Sequence, residues 1–236
     1  IQLSDSGQLF IKPPFRSCHA ATIVETGKDR LLYAWFGGDY EGAENVCIWG
    51  CFRNTGKKEK PGKPFLLASA QDSNGHPVPC WNPVLFKTKS GTIILDYKAG
   101  KNPREWYALR KTSMDNGRTW SAAKPLPAGF LGPIKNKPVQ LRNGDILYGS
   151  SMESMDMIHW TVHAEISNEA GRKWKYISID CDTFAVIQPT ILQHKGDTLQ
   201  MLCRSKQNRI LETWSADGGH HWTTIRATAL QNPNSG

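Results

Sequence analysis

A short phrase that recurs along the chain restricts the fold more than any other feature of the sequence. It reads SMDNGRTW at residues 113–120, SNEAGRKW at 167–174 and SADGGHHW at 215–222, and a decayed copy, FRNTGKKE, stands at 52–59. The copies begin about 50 residues apart, and self-similarity at such a period is the signature of repeat architectures. We therefore expect the chain to repeat one supersecondary unit.

The residues of the phrase are those of a tight turn. A short Asp side chain accepts hydrogen bonds from backbone N–H groups just ahead of it, Gly supplies a positive φ angle, and Trp covers the hairpin. We interpret Asp115 and Asp217 as turn-forming residues rather than catalysts. The middle copy has Asn168 and Ala170 between Ser167 and Gly171, which predicts a looser turn there.

A second repeated phrase precedes each copy of the first and defines the unit. It reads HAATIVETGKDRLLYAWFGG, NPVLFKTKSGTIILDYKAG, KPVQLRNGDILYGSSME and QPTILQHKGDTLQMLCRS. Each phrase is typical of two strands around a Gly-bearing turn, and the remaining residues leave room for two more strands. Four short strands per unit predict an all-β fold, a β-propeller with about four blades in a single domain over residues 1–236.

The two ends of the chain bear on how many blades the propeller has. QLFI at residues 8–11 is typical of a strand that completes a last blade, and Asn234-Ser235 could open a fifth repeat. A closed four-bladed ring and a larger propeller truncated at the C-terminus both fit this pattern. We favour the truncated propeller, because the last segment reads as a blade opening with no blade behind it.

Composition and the absence of familiar motifs exclude several functions. The chain has 29 Lys and Arg against 21 Asp and Glu, a net charge of +8 that favours anionic partners in general. It has no apolar run long enough to span a membrane, no P-loop, no dinucleotide-binding glycine motif and no zinc-protease or serine-hydrolase motif. Its six cysteines form no C-x-x-C pair. We therefore predict no cofactor, no metal, no nucleic-acid partner and no membrane insertion.

The repeated phrase resembles the Asp-box of bacterial neuraminidase repeats, and the chain resembles the sialidase-like superfamily of six-bladed propellers. The phrases CHAATIVE, AWFGGDYEG and GPIKNKPV are similar to a branch of BNR-repeat proteins grouped with sialidases and exo-glycosidases. The resemblance implies a secreted or periplasmic carbohydrate-active enzyme whose active site lies opposite the Asp-boxes. Sialidases open their first blade with Arg-Ile-Pro, whereas this chain has Cys18-His19-Ala20, with Arg16 two residues earlier, so the sugar stays open.

Candidate catalytic residues come from the first repeat. His19 begins the innermost strand, and an imidazole can act as general acid or base near neutral pH. Asp39 and Glu41 lie in the glycine-rich loop FGGDYEG, which could aim a carboxylate inward. Either carboxylate is a candidate acid/base, with Glu41 slightly preferred.

Candidate substrate-binding residues follow from the geometry of a propeller, in which equivalent inner strands start around one central funnel. The leading polar residues of the four repeats should ring it: His19, Asn82, Lys137 and Gln188. Cationic side chains suit a sugar carboxylate. The cationic candidates are Arg104, Lys135, Lys137 and Arg204, and Glu153 is a possible partner for one of them.

The sequence leaves three functions open. The first is an exo-glycosidase that hydrolyses a terminal sugar from an acidic glycan. The second is a polysaccharide lyase in which His19 abstracts a proton beside a uronate carboxylate, as on a rhamnose-glucuronate linkage. The third is a propeller that binds a glycan or a protein without turnover.

Overall fold

The architecture consists of strands and turns. In a computed structural model, residue 9 and residues 13–55, 60–181 and 183–232 are described, and no helix occurs among them. The strands form four four-stranded antiparallel sheets, each a meander of neighbouring strands. The predicted all-β propeller with about four blades is thereby confirmed. The termini 8–11 and 233–236 and the decayed phrase beyond Thr55 lie wholly or largely outside the described residues.

Each blade begins with its innermost strand and continues outward. Blade 1 contains β1 (Ser17–Gly27), β2 (Arg30–Gly38), β3 (Cys47–Asn54) and β4 (Phe65–Ala68). Blade 2 contains β5 (Cys80–Lys87), β6 (Ile93–Ala99), β7 (Tyr107–Ser113) and β8 (Lys124–Pro125). Blade 3 contains β9 (Val139–Gln140), β10 (Ile146–Glu153), β11 (Trp160–Ser167) and β12 (Trp174–Ser178). Blade 4 contains β13 (Val186–Gln193), β14 (Leu199–Ser205), β15 (Arg209–Ser215) and β16 (Arg226–Gln231).

Apolar packing joins the blades in pairs. One buried cluster runs from Val24 in blade 1 to Leu109 in blade 2, and another from Leu141 in blade 3 to Ile225 after β15. The second strand of blade 3 also approaches the inner strand of blade 4 closely: a Cβ added at Gly149 on β10 would lie 2.9 Å from the Pro189 ring on β13. Glycine is therefore needed at 149 for blades 3 and 4 to pack.

The interface between blades 2 and 3 is different, because it contains buried charges beside a small apolar cluster. Asp96 on β6 accepts two hydrogen bonds from Arg110 on β7, at 2.7 and 2.9 Å. Arg110 also donates to the Tyr148 hydroxyl of blade 3 at 3.1 Å. Lys98 is fully buried and donates to the Pro133 carbonyl at 3.0 Å, and burial lowers the pKa of its ammonium to about 8. Polar contacts thus connect the two halves of the molecule.

The Asp-boxes form the predicted turns. The Asp115 carboxylate accepts hydrogen bonds from the Ser113 hydroxyl and from the N–H groups of residues 118 and 119. The closing Trp of each box donates its indole N–H to the carbonyl of the box glycine, at 3.0, 2.9 and 2.9 Å in the three copies. In the middle copy Asn168 replaces the aspartate as acceptor, while the longer Glu169 side chain reaches Gln140 of the inner strand. The middle copy therefore keeps the hydrogen bond of its tryptophan to glycine, but the side chain that accepts the backbone N–H bonds lies one residue earlier.

The Asp115 turn predicts a pH-dependent contribution to stability. Hydrogen bonds from Thr119 and Ser113 hold the pKa of the Asp115 carboxyl well below its usual range. Because the folded-state pKa lies below the unfolded one, about 3.9, this stability is present above pH 4 and is lost as the pH falls. We expect Asp115→Ala to lower the Tm at pH 7 and to change it less at pH 3, as measured by circular-dichroism melting. Glu44→Ala, at an exposed loop position, is the control, and an equal Tm loss at both pH values would contradict the prediction.

Candidate functional site

The two faces of the propeller carry different groups. The Asp-box turns follow the third strands β7, β11 and β15 and lie on one face. Because neighbouring strands are antiparallel, the inner strands begin and the second strands end at the opposite face, as the pairing of Ser17 with Gly38 shows in blade 1. We call this opposite face the entry face. All the site residues predicted from the sequence lie on its strand ends and loops or close to them.

Three inner strands carry the same irregularity near the entry face. Each has a β-bulge with a non-glycine residue at positive φ: Ala20 at 52°, Asn82 at 43° and Gln188 at 55°. Such a conformation costs roughly 1–3 kcal/mol and persists only where the surrounding structure holds it. The Asn136 amide holds the backbone at Gln188, because it donates to the carbonyls of residues 188 and 189 at 3.0 and 3.2 Å.

The bulges correct the predicted ring of equivalent residues. Asn82 and Gln188 are equivalent, as predicted, but their counterpart in blade 1 is Ala20, and His19 lies one position earlier. A polar residue followed by Pro marks the bulge in blades 2 and 4, whereas blade 1 has Ala20-Ala21 there. The nearest polar residue, His19, lies one position before the bulge, so aligning His19 with Asn82 and Gln188 is wrong by one residue.

Lys137 lies near the inner strands but is tied to the backbone. Its ammonium donates to the carbonyl of Ile23 on β1 and to that of Leu85 on β5, at 2.5 and 2.6 Å. Removal of this ammonium from water lowers the pKa of Lys137 to about 8. The structure thus gives Lys137 a bridging position between blades 1 and 2 and not the place of a free substrate ligand.

On the entry face, Lys135 is within electrostatic range of two charged side chains from other parts of the chain. Burial lowers the pKa of Lys135, and the nearby guanidinium of Arg204 lowers it further, whereas the carboxylate of Glu41 raises it. Glu41 follows β2 of blade 1, Lys135 precedes blade 3, and Arg204 lies on β14 of blade 4. Arg204 also donates to the side-chain oxygen of Gln188 at 3.4 Å. We call Glu41, Lys135, Arg204 and Gln188 the entry-face cluster.

The loop that carries Glu41 is fixed by its own backbone. Ala43 N–H donates to the Tyr40 carbonyl at 3.0 Å, and Val46 N–H donates to the Ala43 carbonyl at 2.9 Å. Gly42 has a φ of 89°, and a Cβ there would lie 3.3 Å from the Trp81 ring. Glycine at 42 therefore lets the loop rest on Trp81, which positions Glu41.

The other candidate carboxylate, Asp39, is placed elsewhere. It lines a cavity of about 620 Å³ on the outer side of blade 1, together with Arg16, Trp49 and Lys63. Its backbone N–H donates to the Asn45 side chain at 3.2 Å, which holds this part of the loop beside that cavity. Asp39 and Glu41 therefore have different surroundings in the fold, although they are only two residues apart in the sequence.

The remaining predicted residues are His19, Arg104 and Glu153. The exposed His19 ring stacks on Phe36 with centroids 5.8 Å apart, and Phe36 in turn lies 5.9 Å from Trp81. Arg104 and Glu153 line one cavity between blades 2 and 3. Among the described residues, no group of three or more His, Cys, Asp or Glu side chains is arranged to hold a metal ion.

Two tryptophans near the site were not predicted to have a role there. Trp81 supports the Glu41 loop, and its indole N–H donates to the Gly100 carbonyl at 2.8 Å. Trp160 lies beneath two cations, with Arg204 Cζ 5.3 Å and Lys206 Nζ 4.5 Å from its ring centroid. Trp81 directly precedes the bulge residue Asn82, which is the one sequence signal that could have marked it.

Comparison with solved structures places the fold in a defined class. The chain superposes on a protein of unknown function from Dyadobacter fermentans with a TM-score of 0.74 at 16% identity, covering 91% of this chain and 70% of that one. It superposes on the NanB sialidase from Streptococcus pneumoniae with a TM-score of 0.74 at 12% identity, covering 98% and 55%. For a Trypanosoma rangeli sialidase in complex with sialic acid the TM-score is 0.66 at 14% identity, covering 89% and 37%. The chain thus spans about half or less of the length of these two sialidases.

The fold and the charged entry face define a sialidase-like β-propeller. No curated protein matches the sequence. The sequence profile of the BNR repeat-like domain matches residues 29–236, and the chain therefore belongs to this family. None of the described residues form a helix that is long and apolar enough to cross a membrane.

Proposed function

We propose that this protein is an exo-glycosidase that removes a terminal sugar from an acidic glycan. The observation that supports it is the entry-face cluster, in which Lys135 is within electrostatic range of both Glu41 and Arg204. These groups come from blade 1, the start of blade 3 and blade 4. The likeness in fold to sialidases, one of which is described in complex with sialic acid, supports a glycan as the ligand.

The roles follow from the chemistry of the groups. Arg204 presents a guanidinium that can bind a sugar carboxylate in a bidentate fork, and Lys135 adds a point charge beside it. Gln188 holds Arg204 through its side-chain oxygen and can donate from its amide nitrogen to a sugar hydroxyl. Glu41, exposed and next to these cations, would exchange the proton with the glycosidic oxygen.

Two of the predicted residues have supporting roles in this proposal. Asn82 lies on a bulge equivalent to that of Gln188, and its amide could bind a further hydroxyl. His19 is the third residue of β1, and its imidazole is the candidate for a second proton transfer. Lys137 contributes indirectly, because its bonds to Ile23 and Leu85 hold two inner strands together.

Product analysis tests the proposal. The whole chain is incubated with sialylated, rhamnosyl-glucuronate and matched neutral glycans, and released sugars are separated while ultraviolet absorbance is recorded. We expect a terminal sugar to be released from an acidic glycan and not from its neutral counterpart. Release from neutral glycans alone, or an unsaturated product that absorbs in the ultraviolet, would contradict the proposal.

A binding propeller without turnover is the second candidate, and one observation favours it. Glycosidases usually need two carboxyl groups about 5–10 Å apart. Asp39 lines the outer cavity of blade 1, which favours a Glu41 that lacks Asp39 as its partner carboxyl group. Saturable binding of an acidic glycan with no released product would support this candidate over the enzyme.

A further inference from the structure

A second cavity opens on the entry face between blades 2 and 3. Its volume is about 300 Å³, at the lower end of the range for small-ligand sites. Most of its lining is apolar or aromatic, from prolines and leucines around residues 125–131 and from four larger side chains. These four are Trp106, Tyr107, Phe130 and Met152. We call it the aromatic cavity.

Two charged side chains stand in this apolar lining, Arg104 and Glu153. The backbone N–H of Arg104 donates to the Asn102 side chain at 3.0 Å, which fixes the loop. Among the described residues, neither the Arg104 guanidinium nor the Glu153 carboxylate forms a hydrogen bond or an ion pair. The hydroxyl of Tyr107, in contrast, is directed to the Gln71 carbonyl, at 3.5 Å. The cavity therefore offers a ligand one strong donor and one strong acceptor.

Aromatic contacts connect this cavity to the Glu41 loop. The Trp106 and Trp81 rings meet edge to face, with centroids 6.3 Å apart. The other side of Trp81 supports Gly42, where a Cβ would lie 3.3 Å from the ring. Trp81 thus contacts both Trp106, which lines the cavity, and the loop that carries Glu41.

We propose that the aromatic cavity binds a phenolic carboxylic acid group, with its ring against Trp106, its carboxylate on Arg104 and its hydroxyl donating to Glu153. A sugar fits the lining less well, because its several hydroxyls would face mostly apolar surface and lose their hydrogen bonds to water. A flat aromatic ring gains from contact with tryptophan and leaves one polar group for each charged side chain. The place of this group in a substrate rests on the proposed function: it would belong to the leaving group of the hydrolysed glycoside.

Binding of 4-hydroxybenzoate tests the cavity without requiring hydrolysis. Its dissociation constant and that of its uncharged methyl ester are measured by calorimetry on the whole chain. We expect the acid to bind about tenfold more tightly than the ester, since a charge-assisted bond to Arg104 is lost in the ester. Arg104→Gln should remove this difference, whereas Arg142→Gln, an arginine on the Asp-box face, should leave it unchanged.

Two further variants test the other contacts. Trp106→Ala should weaken binding of both compounds alike, and Trp106→Tyr, which keeps an aromatic face, should restore most of it if the alanine variant is unfolded. Glu153→Gln should weaken 4-hydroxybenzoate relative to benzoate. Absence of binding, equal affinity for acid and ester in the unmodified protein, or tighter binding of methyl glucuronide would each overturn the proposal. Binding as expected in a protein that hydrolyses no glycan would support the cavity and contradict the proposed enzymatic function instead.

Discussion

Glu41→Gln is expected to lower kcat/KM on an acidic glycoside by about 10²- to 10⁴-fold, the usual contribution of a positioned general acid or base. Glutamine keeps the size of the side chain and removes its ability to exchange a proton. Glu41 is exposed, and its loop is held by backbone bonds and by Gly42 against Trp81. The substitution should therefore leave the fold and the Tm unchanged, and the loss of activity should appear as a lower kcat.

The neighbouring carboxylates provide the comparison for this variant. Asp39→Asn tests the other sequence candidate, which faces the outer cavity of blade 1, and should change kcat/KM little. Glu44→Gln, an exposed position in the same loop, is the neutral control. Initial rates on the glycan identified by product analysis give the values. If Asp39→Asn abolished turnover and Glu41→Gln did not, the assignment of the acid/base would be wrong.

Asp96→Ala is expected to reduce the free energy of unfolding by about 3–5 kcal/mol, because removing one partner leaves the other charge buried and unpaired. The side chain of Asp96 is 2% exposed and that of Arg110 is 11% exposed. Arg110 also bonds to Tyr148 across the interface of blades 2 and 3. The loss is large against a typical total of about 5–15 kcal/mol, so denaturant unfolding should show a clearly lower midpoint.

A surface pair supplies the matched control for this variant. Arg142 and Asp197 are 3.7 Å apart, but their side chains are 72% and 58% exposed. Exposed pairs contribute about 0–1 kcal/mol, so Asp197→Ala should change the midpoint little. Comparable small losses in the two variants would show that the interface of blades 2 and 3 does not depend on the buried pair.

Only part of the candidate site could be predicted from the sequence. Asn82 and Gln188 were aligned correctly, because each directly precedes a proline in its repeat. His19 was misaligned by one residue, since a β-bulge shifts register without leaving a fixed residue type. Lys137 was correctly placed near the inner strands, but its bonds to two backbone carbonyls depend on blades 1 and 2, which no local pattern describes.

By itself, the sequence determined the all-β propeller, the strand arrangement of each unit and the chemistry of the Asp-box turns. These features depend on contacts between residues close in the chain, such as those of Asp115 with Ser113 and Thr119, so a local pattern specifies them. The tertiary structure alone decided that Lys135 is within electrostatic range of Glu41 and Arg204 while Asp39 lines a different cavity. That choice depends on how blades distant in sequence pack around a common space, because charges interact through distance in the folded molecule and not along the chain.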